Sequence, residues 1–238
     1  MQTPPFLPPK AVTKIWRPEL TRLPRLNWAR RAFRMVARLL ARTLIWLLTD
    51  ATFQGLEHFP TQGPALIVVN HLGDADTAIL LGVLSVAPEA LGKIELYDFP
   101  ILGKLMDWYG IIWLHRGQPD RRALRCALDG LANGRFLIIA PEGRYTLVRG
   151  LEEGGPGAAY LALKAKVPIV PIALTGTENT NIYGNLRRFR RPQVSLSVGE
   201  PFHLAVAVDN SEGVRAGTRQ IMVSIARLLP IDYRGVYW

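Results

Sequence analysis

Short apolar segments that alternate with amphipathic ones limit the folds open to this chain more than any other feature. Five of these segments have the length of a single buried strand, at residues 65–70, 110–116, 136–140, 167–174 and 193–198. Helical periodicity occupies four other segments, at residues 77–86, 120–132, 158–165 and 214–229. We therefore predict an α/β fold in which helices flank a mixed, largely parallel sheet.

The first 50 residues differ in composition from the rest of the chain. They hold ten Lys and Arg residues against two acidic residues, and so carry +8 of the net charge of +10. Six prolines predict an extended, non-helical lead-in over residues 1–25. We divide the chain accordingly into an N-terminal segment, residues 1–50, and an α/β domain, residues 51–238.

Residues 28–48 predict an amphipathic helix within the N-terminal segment. Arginines recur every four residues along one side, and the opposite side is apolar, with Phe33, Val36, Leu40, Leu44 and Leu47. Such a helix suits the headgroup layer of an anionic phospholipid bilayer, with its apolar face in the lipid. The alternative is a surface helix that packs the apolar face on its own domain.

The chain has no apolar run near the roughly 18–20 residues that a transmembrane helix needs. Its proline-rich opening followed by arginines does not fit a secretory signal. We therefore expect a peripheral, monotopic protein at the cytoplasmic face of the cell membrane.

Composition also restricts the chemistry. The single cysteine, Cys126, excludes an internal disulfide and a cysteine-based zinc cluster, and its inward position on helix 120–132 indicates core packing. The histidines lack metal-ligand spacing, so we expect no metal. The basic residues are concentrated at the N-terminus and no aromatic stacking pattern accompanies them, which argues against nucleic-acid binding. The basic loop 187–191 suits lipid phosphates or an acidic carrier protein, or is simply solvated.

A polar turn after the strand at 65–70 holds the first candidate for chemistry. It contains His71, Asp74 and Asp76, and Gly73 allows the turn to bring a carboxylate back to the imidazole. A carboxylate there fixes the tautomer of His71 and raises its basicity. Either aspartate can be that partner, and either can instead cap the helix that follows.

Two further polar clusters follow strands, at the sheet edge where open α/β proteins bind ligands. Arg116 ends the strand at 110–116 and offers a planar fork for a phosphate, or is a solvated strand end. Glu142, Gly143 and Arg144 follow the strand at 136–140 and suit a polar head group. The alternative there is a turn that needs the backbone freedom of Gly143.

Taken in order, these clusters resemble the four sequence blocks of the glycerolipid acyltransferases, the PlsC-like lysophosphatidate acyltransferase group. The family patterns are N-H-x4-D, G-x5-R, F-P-E-G-T-R-S and an apolar strand with V-P-x-x-P. They are matched by Asn70, His71 and Asp76, by Gly110 and Arg116, by Pro141, Glu142 and Gly143, and by Val167, Pro168 and Pro171. The resemblance extends over residues 50–180. Ala140 replaces the usual Phe, and Arg144-Tyr145-Thr146 replaces Thr-Arg-Ser.

The resemblance implies an O-acyltransferase of phospholipid synthesis. His71, oriented by Asp76, would act as general base on the hydroxyl of a lysophosphatidate or similar lipid, which attacks the thioester of acyl-CoA or acyl carrier protein. Arg116, Glu142, Gly143 and Arg144 would bind the acceptor, and no cofactor is implied beyond the thioester co-substrate. The open alternatives are a non-catalytic lipid-binding relative, an acyltransferase for a non-glycerolipid acceptor, and a thioester hydrolase.

Overall fold

The computed structural model describes residues 8, 10–117, 119–147, 150–205 and 210–237. The predicted α/β fold is confirmed over these residues, where one seven-stranded sheet is flanked by α-helices. The strands are β1 (Asp50–Gln54), β2 (Ala65–Val69), β3 (Glu89–Lys93), β4 (Ile112–Leu114), β5 (Phe136–Ile139), β6 (Ile169–Thr175) and β7 (Gln193–Val198). The helices are α1 (Trp28–Leu48), α2 (Ala75–Val83), α3 (Leu102–Tyr109), α4 (Arg121–Ala132), α5 (Gly157–Ala165), α6 (Asn179–Leu186) and α7 (Ser211–Leu228).

The sheet is mixed and largely parallel, as predicted. Its strand order is β1-β7-β6-β2-β5-β3-β4, and only the β6–β7 pairing among the described residues is antiparallel. The strands β2, β5 and β4 therefore run in the same direction. The polar turns that follow them, which hold the three predicted clusters, leave the sheet at the same edge.

The sheet has a hydrophobic core on each face because successive side chains of a strand point to opposite sides. Leu66 and Val68 of β2 pack with α4, α5 and α7 on one face. Ala65, Ile67 and Val69 of the same strand pack with α1, α2 and α6 on the other. The short apolar runs of the sequence are thus strands buried on both sides.

Helix α1 has the predicted bounds, and its arginine side is the one that packs on the domain. Arg34 is buried in an ion pair with Glu89 of β3 at 2.8 Å, and Arg38 donates a hydrogen bond to the carbonyl of Leu84. The opposite, apolar side is left exposed. The alternative in which the apolar side packs on the domain is therefore not what the structure shows.

Four elements have no counterpart in the sequence prediction. β1 lies at the sheet edge and is mostly exposed, and β3 is a polar segment whose Glu89 is buried in an ion pair. Helix α3 leaves apolar side chains exposed, and α6 is polar. β1, β3 and α6 lack the periodicity of a half-buried element, whereas α3 has helical periodicity but leaves Leu102 and Leu105 exposed. The helix predicted over residues 77–86 begins and ends earlier, at Ala75 and Val83.

The lead-in is non-helical where it is described, at residue 8 and residues 10–25. It lies on the β4 end of the sheet, where the backbone N–H of Thr13 donates to the carbonyl of Arg116 at 2.9 Å. Within the described residues, no helix has both the length and the apolar character needed to cross a membrane.

Candidate active site

The turn after β2 brings His71 and Asp76 together. Asn70 fixes the end of β2, because its buried side-chain amide exchanges two hydrogen bonds with the backbone of Leu174 in β6, at 2.9 and 2.8 Å. The chain then turns sharply at Gly73, where a Cβ atom would lie only 2.5 Å from the carbonyl oxygen of Thr177. This turn places the Asp76 Oδ2 atom 2.7 Å from His71 Nδ1.

The Asp76 carboxylate is held in place by the backbone of the turn. Its Oδ2 atom also accepts hydrogen bonds from the backbone N–H groups of Leu72 at 2.7 Å and Gly73 at 3.0 Å. The Asp76 side chain is 2% exposed, whereas that of His71 is 28% exposed. With Nδ1–H donated to Asp76, the lone pair of His71 Nε2 has no hydrogen-bond partner among the described residues and can accept a proton from a hydroxyl group.

Asp74, the other candidate partner, does not contact His71 Nδ1. It occupies the position before α2, but its side chain makes no capping hydrogen bond. Its Oδ1 atom instead accepts a hydrogen bond from the Tyr145 hydroxyl at 2.6 Å. The ring of Tyr145 packs edge-on against His71, with ring centroids 4.3 Å apart. Tyr145 is therefore a site residue that was not predicted, although it occupies the position of the arginine in the family pattern.

Glu142 is buried beneath the site and joins two loops. Its Oε1 atom accepts from the backbone N–H of His71 at 3.2 Å, and Oε2 accepts from the Thr146 hydroxyl at 3.0 Å and the backbone N–H of Glu152 at 2.9 Å. Thr146 in turn donates its N–H to the carbonyl of His71 at 2.7 Å. Burial raises the pKa of Glu142, against the opposing effect of these donors. Glu142 thus positions His71, and its carboxylate does not face solvent.

Gly143 and Arg144 form the turn after β5. Gly143 is exposed with φ +71°, a conformation that favours glycine, which agrees with the turn interpretation. The Arg144 guanidinium forms an ion pair with Glu152 at 2.8 Å and donates to the carbonyl of Pro8 at 2.6 Å. The early arginine is therefore already engaged by groups of this chain.

Arg116 lies at the turn after β4, apart from the other predicted residues. Its backbone N–H donates to the Thr13 hydroxyl at 2.8 Å, and its guanidinium is 3.9 Å from the Glu95 carboxylate. In the described part of the chain, no hydrogen bond or ion pair joins Arg116 to His71 or Glu142. The structure brings His71, Asp76 and Glu142 together and leaves Arg116 to a separate stretch of the same sheet edge.

A second histidine–aspartate pair with the same spacing holds the turn that carries Arg116. His115 Nδ1 lies 2.8 Å from Asp120 Oδ2, and His115 Nε2 accepts the backbone N–H of Arg17 at 2.9 Å. Both ring nitrogens of this buried histidine are therefore used. Burial raises the pKa of Asp120, but the donors of His115 and Ala123 outweigh it and hold that pKa below its ordinary value. The repeated H-x4-D spacing is the sequence signal that would have revealed this pair.

Other reactive groups lie away from the site. Cys126 is half-buried against the core, and burial raises the pKa of its thiol. Among the described residues, no three His, Cys, Asp or Glu side chains are grouped closely enough to hold a metal ion.

The fold and the site define a class of α/β protein in which a partly exposed histidine, paired with a buried aspartate, lies at the end of a central strand. A family model described as Acyltransferase matches residues 50–175, more than half of the chain. The chain belongs to this Acyltransferase family.

Two relatives agree with that assignment. A chloroplastic 1-acyl-sn-glycerol-3-phosphate acyltransferase of Arabidopsis thaliana is 27% identical over 179 residues, which cover 74% of this chain and 50% of that protein. A lyso-ornithine lipid O-acyltransferase of Pseudomonas aeruginosa is 35% identical over 114 residues, 47% of this chain and 43% of that one. The chain spans about half the length of these curated relatives.

The fold is also that of the 1-acyl-sn-glycerophosphate (LPA) acyltransferase PlsC from Thermotoga maritima. That crystal structure superposes with a TM-score of 0.65 at 24% sequence identity, covering 84% of this chain and 79% of that one.

Proposed function

We propose that this protein transfers an acyl group from a thioester to the hydroxyl of a lysophosphatidate or a similar glycerol-phosphate lipid. The observation that carries the proposal is the 2.7 Å contact between His71 Nδ1 and Asp76 Oδ2, with His71 exposed and Asp76 buried. In this mechanism Nε2 of His71 takes the hydroxyl proton as the oxygen attacks the thioester carbonyl, and Asp76 stabilises the imidazolium. The carbon–sulfur bond of the thioester then breaks, and the proton passes from His71 to the departing thiolate. No acyl-enzyme forms, because the acceptor oxygen attacks the carbonyl directly.

The names of the relatives support the acceptor and reaction class. Two relatives that each align with 74% of this chain are named as acyltransferases of 1-acyl-sn-glycerol-3-phosphate. Both acyl-CoA and acyl carrier protein are proposed as donors, because both present the same thioester. A second acceptor class, without a glycerol phosphate, is favoured by one observation: Arg144, predicted to bind the acceptor, is paired with Glu152.

The test is acyl transfer from a labelled thioester to a panel of lyso-lipids by the native protein and by His71→Ala. Loss of the base should lower kcat at least about a hundredfold. Asp76→Asn keeps an oxygen for the imidazole and removes the charge, and it should lower kcat by a similar factor while KM changes little. His203→Ala is the control, because this residue lies outside the site. Undiminished activity of His71→Ala would refute the mechanism.

The same assay separates the alternative chemistries. Release of free fatty acid that does not fall when acceptor is added would indicate a hydrolase, with water in place of the alcohol. Lipid binding without turnover of any thioester would indicate a non-catalytic relative. Both outcomes contradict the proposal.

We also propose that α1 and α3 together form a membrane-binding surface at the cytoplasmic face of the cell membrane. The rings of Phe33 in α1 and Trp108 in α3 are 6.0 Å apart, so the two helices are neighbours. Their exposed apolar residues are Trp28, Met35, Val36, Leu39, Leu40, Leu44, Trp46, Leu47, Leu48, Leu102, Leu105 and Trp108, with Phe99 and Ile101 just before α3. A patch of this kind on a folded protein is typical of a lipid or protein interface.

The contacts of α1 support a lipid partner over a nucleic acid. The guanidinium groups of Arg30, Arg34 and Arg38 donate hydrogen bonds to the domain, so that most of the arginine stripe is directed inward. Arg31 and Arg42 remain exposed and can meet lipid phosphates. The protein should therefore still sediment with phosphatidylglycerol vesicles as the salt concentration is raised. Its binding to duplex DNA should be weak at low salt and disappear at high salt. Tighter binding to DNA at every salt concentration would refute the membrane proposal.

A further inference from the structure

The turn that departs from the family pattern builds a polar wall beside His71. Tyr145 donates its hydroxyl to Asp74 Oδ1 at 2.6 Å, and its ring lies against the His71 imidazole. From α6, Tyr183 and Asn179 donate to Asp74 Oδ2 at 3.0 and 3.1 Å. We call these four residues, Asp74, Tyr145, Asn179 and Tyr183, the Asp74 wall. They come from three separate segments of the chain.

The Asp74 wall carries a negative charge on the Asp74 carboxylate. The hydrogen bond from Tyr145 is the largest influence on the pKa of Asp74 and lowers it; those from Tyr183 and Asn179 act in the same direction, and partial burial opposes them. Asp74 is therefore ionised at neutral pH. All three donors are neutral, so they stabilise the carboxylate without cancelling its charge. Asp74 itself is exposed and accessible to a ligand.

The two arginines predicted to bind the acceptor each face a carboxylate of this chain. Arg144 is partly buried against the Glu152 carboxylate at 2.8 Å, and the Arg116 guanidinium faces Glu95 at 3.9 Å. Tyr145 stands where the family pattern has an arginine. The polar side chains that contact one another beside His71 thus combine a carboxylate with hydroxyl and amide groups.

We propose that the Asp74 wall selects the acceptor head group, favouring a lyso-lipid with an ammonium group over one that ends in a phosphate monoester. The inference rests on the proposed function and narrows its acceptor. An ammonium group is attracted by Asp74 and can donate hydrogen bonds to the carboxylate and to the tyrosine oxygens. A dianionic phosphate monoester in the same place is repelled by the carboxylate.

The experiment compares kcat/KM for lysophosphatidylethanolamine and lysophosphatidate with the same acyl chain, presented in the same neutral micelles. The native protein should prefer the ammonium lipid by up to about fivefold, the upper range for one partly exposed charge pair. Asp74→Asn keeps the size of the side chain and should reduce this ratio to near one. Tyr145→Arg places a cation at the position of the family arginine and should move the preference toward lysophosphatidate.

Two controls separate a head-group effect from other effects. Asp129→Asn removes a similarly exposed carboxylate from α4 and should leave the ratio unchanged. Tyr183→Phe removes one donor but keeps the charge of Asp74, and should retain the preference. Thermal unfolding of each variant identifies any that fails to fold, and the ratio of the native protein tests the proposal without any variant.

The outcomes distinguish this inference from the proposed function. His71-dependent transfer that prefers lysophosphatidate, or a ratio unaffected by Asp74→Asn in a folded variant, overturns the inference and leaves the proposed function standing. Absence of transfer to every lyso-lipid overturns the proposed function, and the inference with it.

Discussion

The proposed membrane surface makes a prediction that one matched pair of substitutions can check. Ile101, just before α3, and Ile231, near the C-terminus, are both 75% exposed, but only Ile101 belongs to the apolar surface of α1 and α3. Burying a whole isoleucine side chain contributes about 1.5–3 kcal/mol. Three quarters of that, about 1–2 kcal/mol, should be lost from membrane binding in Ile101→Ser, which corresponds to about 5–30-fold weaker partitioning.

The assay is co-sedimentation with phosphatidylglycerol vesicles over a range of lipid concentrations. Ile101→Ser should lower the partition coefficient by the stated factor, and Ile231→Ser should leave it unchanged. Both substitutions are at exposed positions, so the free energy of unfolding should change by less than about 0.5 kcal/mol in either. Equal effects of the two substitutions on partitioning, or none from Ile101→Ser, would refute the assignment of α3 to the membrane surface.

Three further predictions concern the buried polar groups. Glu89→Gln leaves the buried Arg34 guanidinium without its counter-charge, so the free energy of unfolding, measured by chemical denaturation, should fall by about 3–5 kcal/mol. An unchanged free energy of unfolding would mean that the ion pair does not stabilise the packing of α1 on the domain. Asp120→Asn should lower the free energy of unfolding at pH 7 by about 1–2 kcal/mol. Because folding lowers the pKa of Asp120, the stability difference between the native protein and the variant should be complete above the unfolded-state pKa near 3.8 and should shrink as the pH falls below it. A stability difference that does not change with pH would contradict a lowered pKa of Asp120. Thr146→Val removes the hydroxyl proton that the Glu142 carboxylate and the His71 carbonyl share. Steady-state kinetics should show kcat falling more than KM rises; an unchanged kcat would exclude a positioning role.

The sequence could predict those helices and strands whose burial produces a regular pattern of apolar and polar residues. Strand β2 is buried on both faces, and five consecutive apolar residues record this directly. Helix α1 has two chemically different sides, and its bounds follow from their period. By contrast, β3 carries Glu89 in a buried ion pair with Arg34, a residue 55 positions away. No local pattern encodes that pairing, so the strand could not be recognised.

The orientation of α1 could not be predicted for a related reason. An arginine stripe ordinarily indicates a solvated face, but here Arg34 and Arg38 find carboxylate and carbonyl acceptors on the domain. Burying these cations is favourable only because those acceptors are already arranged by other elements. The sequence identifies an amphipathic helix; which side it buries depends on what the rest of the fold presents to it.

In the candidate site, too, the contacts within one turn could be predicted from the sequence, and those made by residues of another loop could not. The His71–Asp76 pair follows from a short spacing and a turn, which are local properties. The roles of Glu142 and Arg144 are not local, because each is decided by Glu152: its backbone N–H donates to Glu142 and its carboxylate pairs with Arg144. Glu152 lies in an irregular loop without a motif and gives no sequence signal, so the contacts that it makes with Glu142 and Arg144 could not be predicted.

Helix α2 connects the proposed membrane surface to the histidine–aspartate pair. It packs on α1 at Gly82, where a Cβ atom would lie 2.9 Å from the backbone nitrogen of Arg42, so the two helices approach as closely as glycine allows. Asp76 lies six residues before Gly82 on the same helix, which is about 9 Å along its axis. A rigid helix therefore fixes the distance between the lipid-facing helix and the proposed base. Lyso-lipids keep their free hydroxyl at the level of the head groups, so a base held at a fixed distance from the lipid-facing helix can meet that hydroxyl without the lipid leaving the membrane.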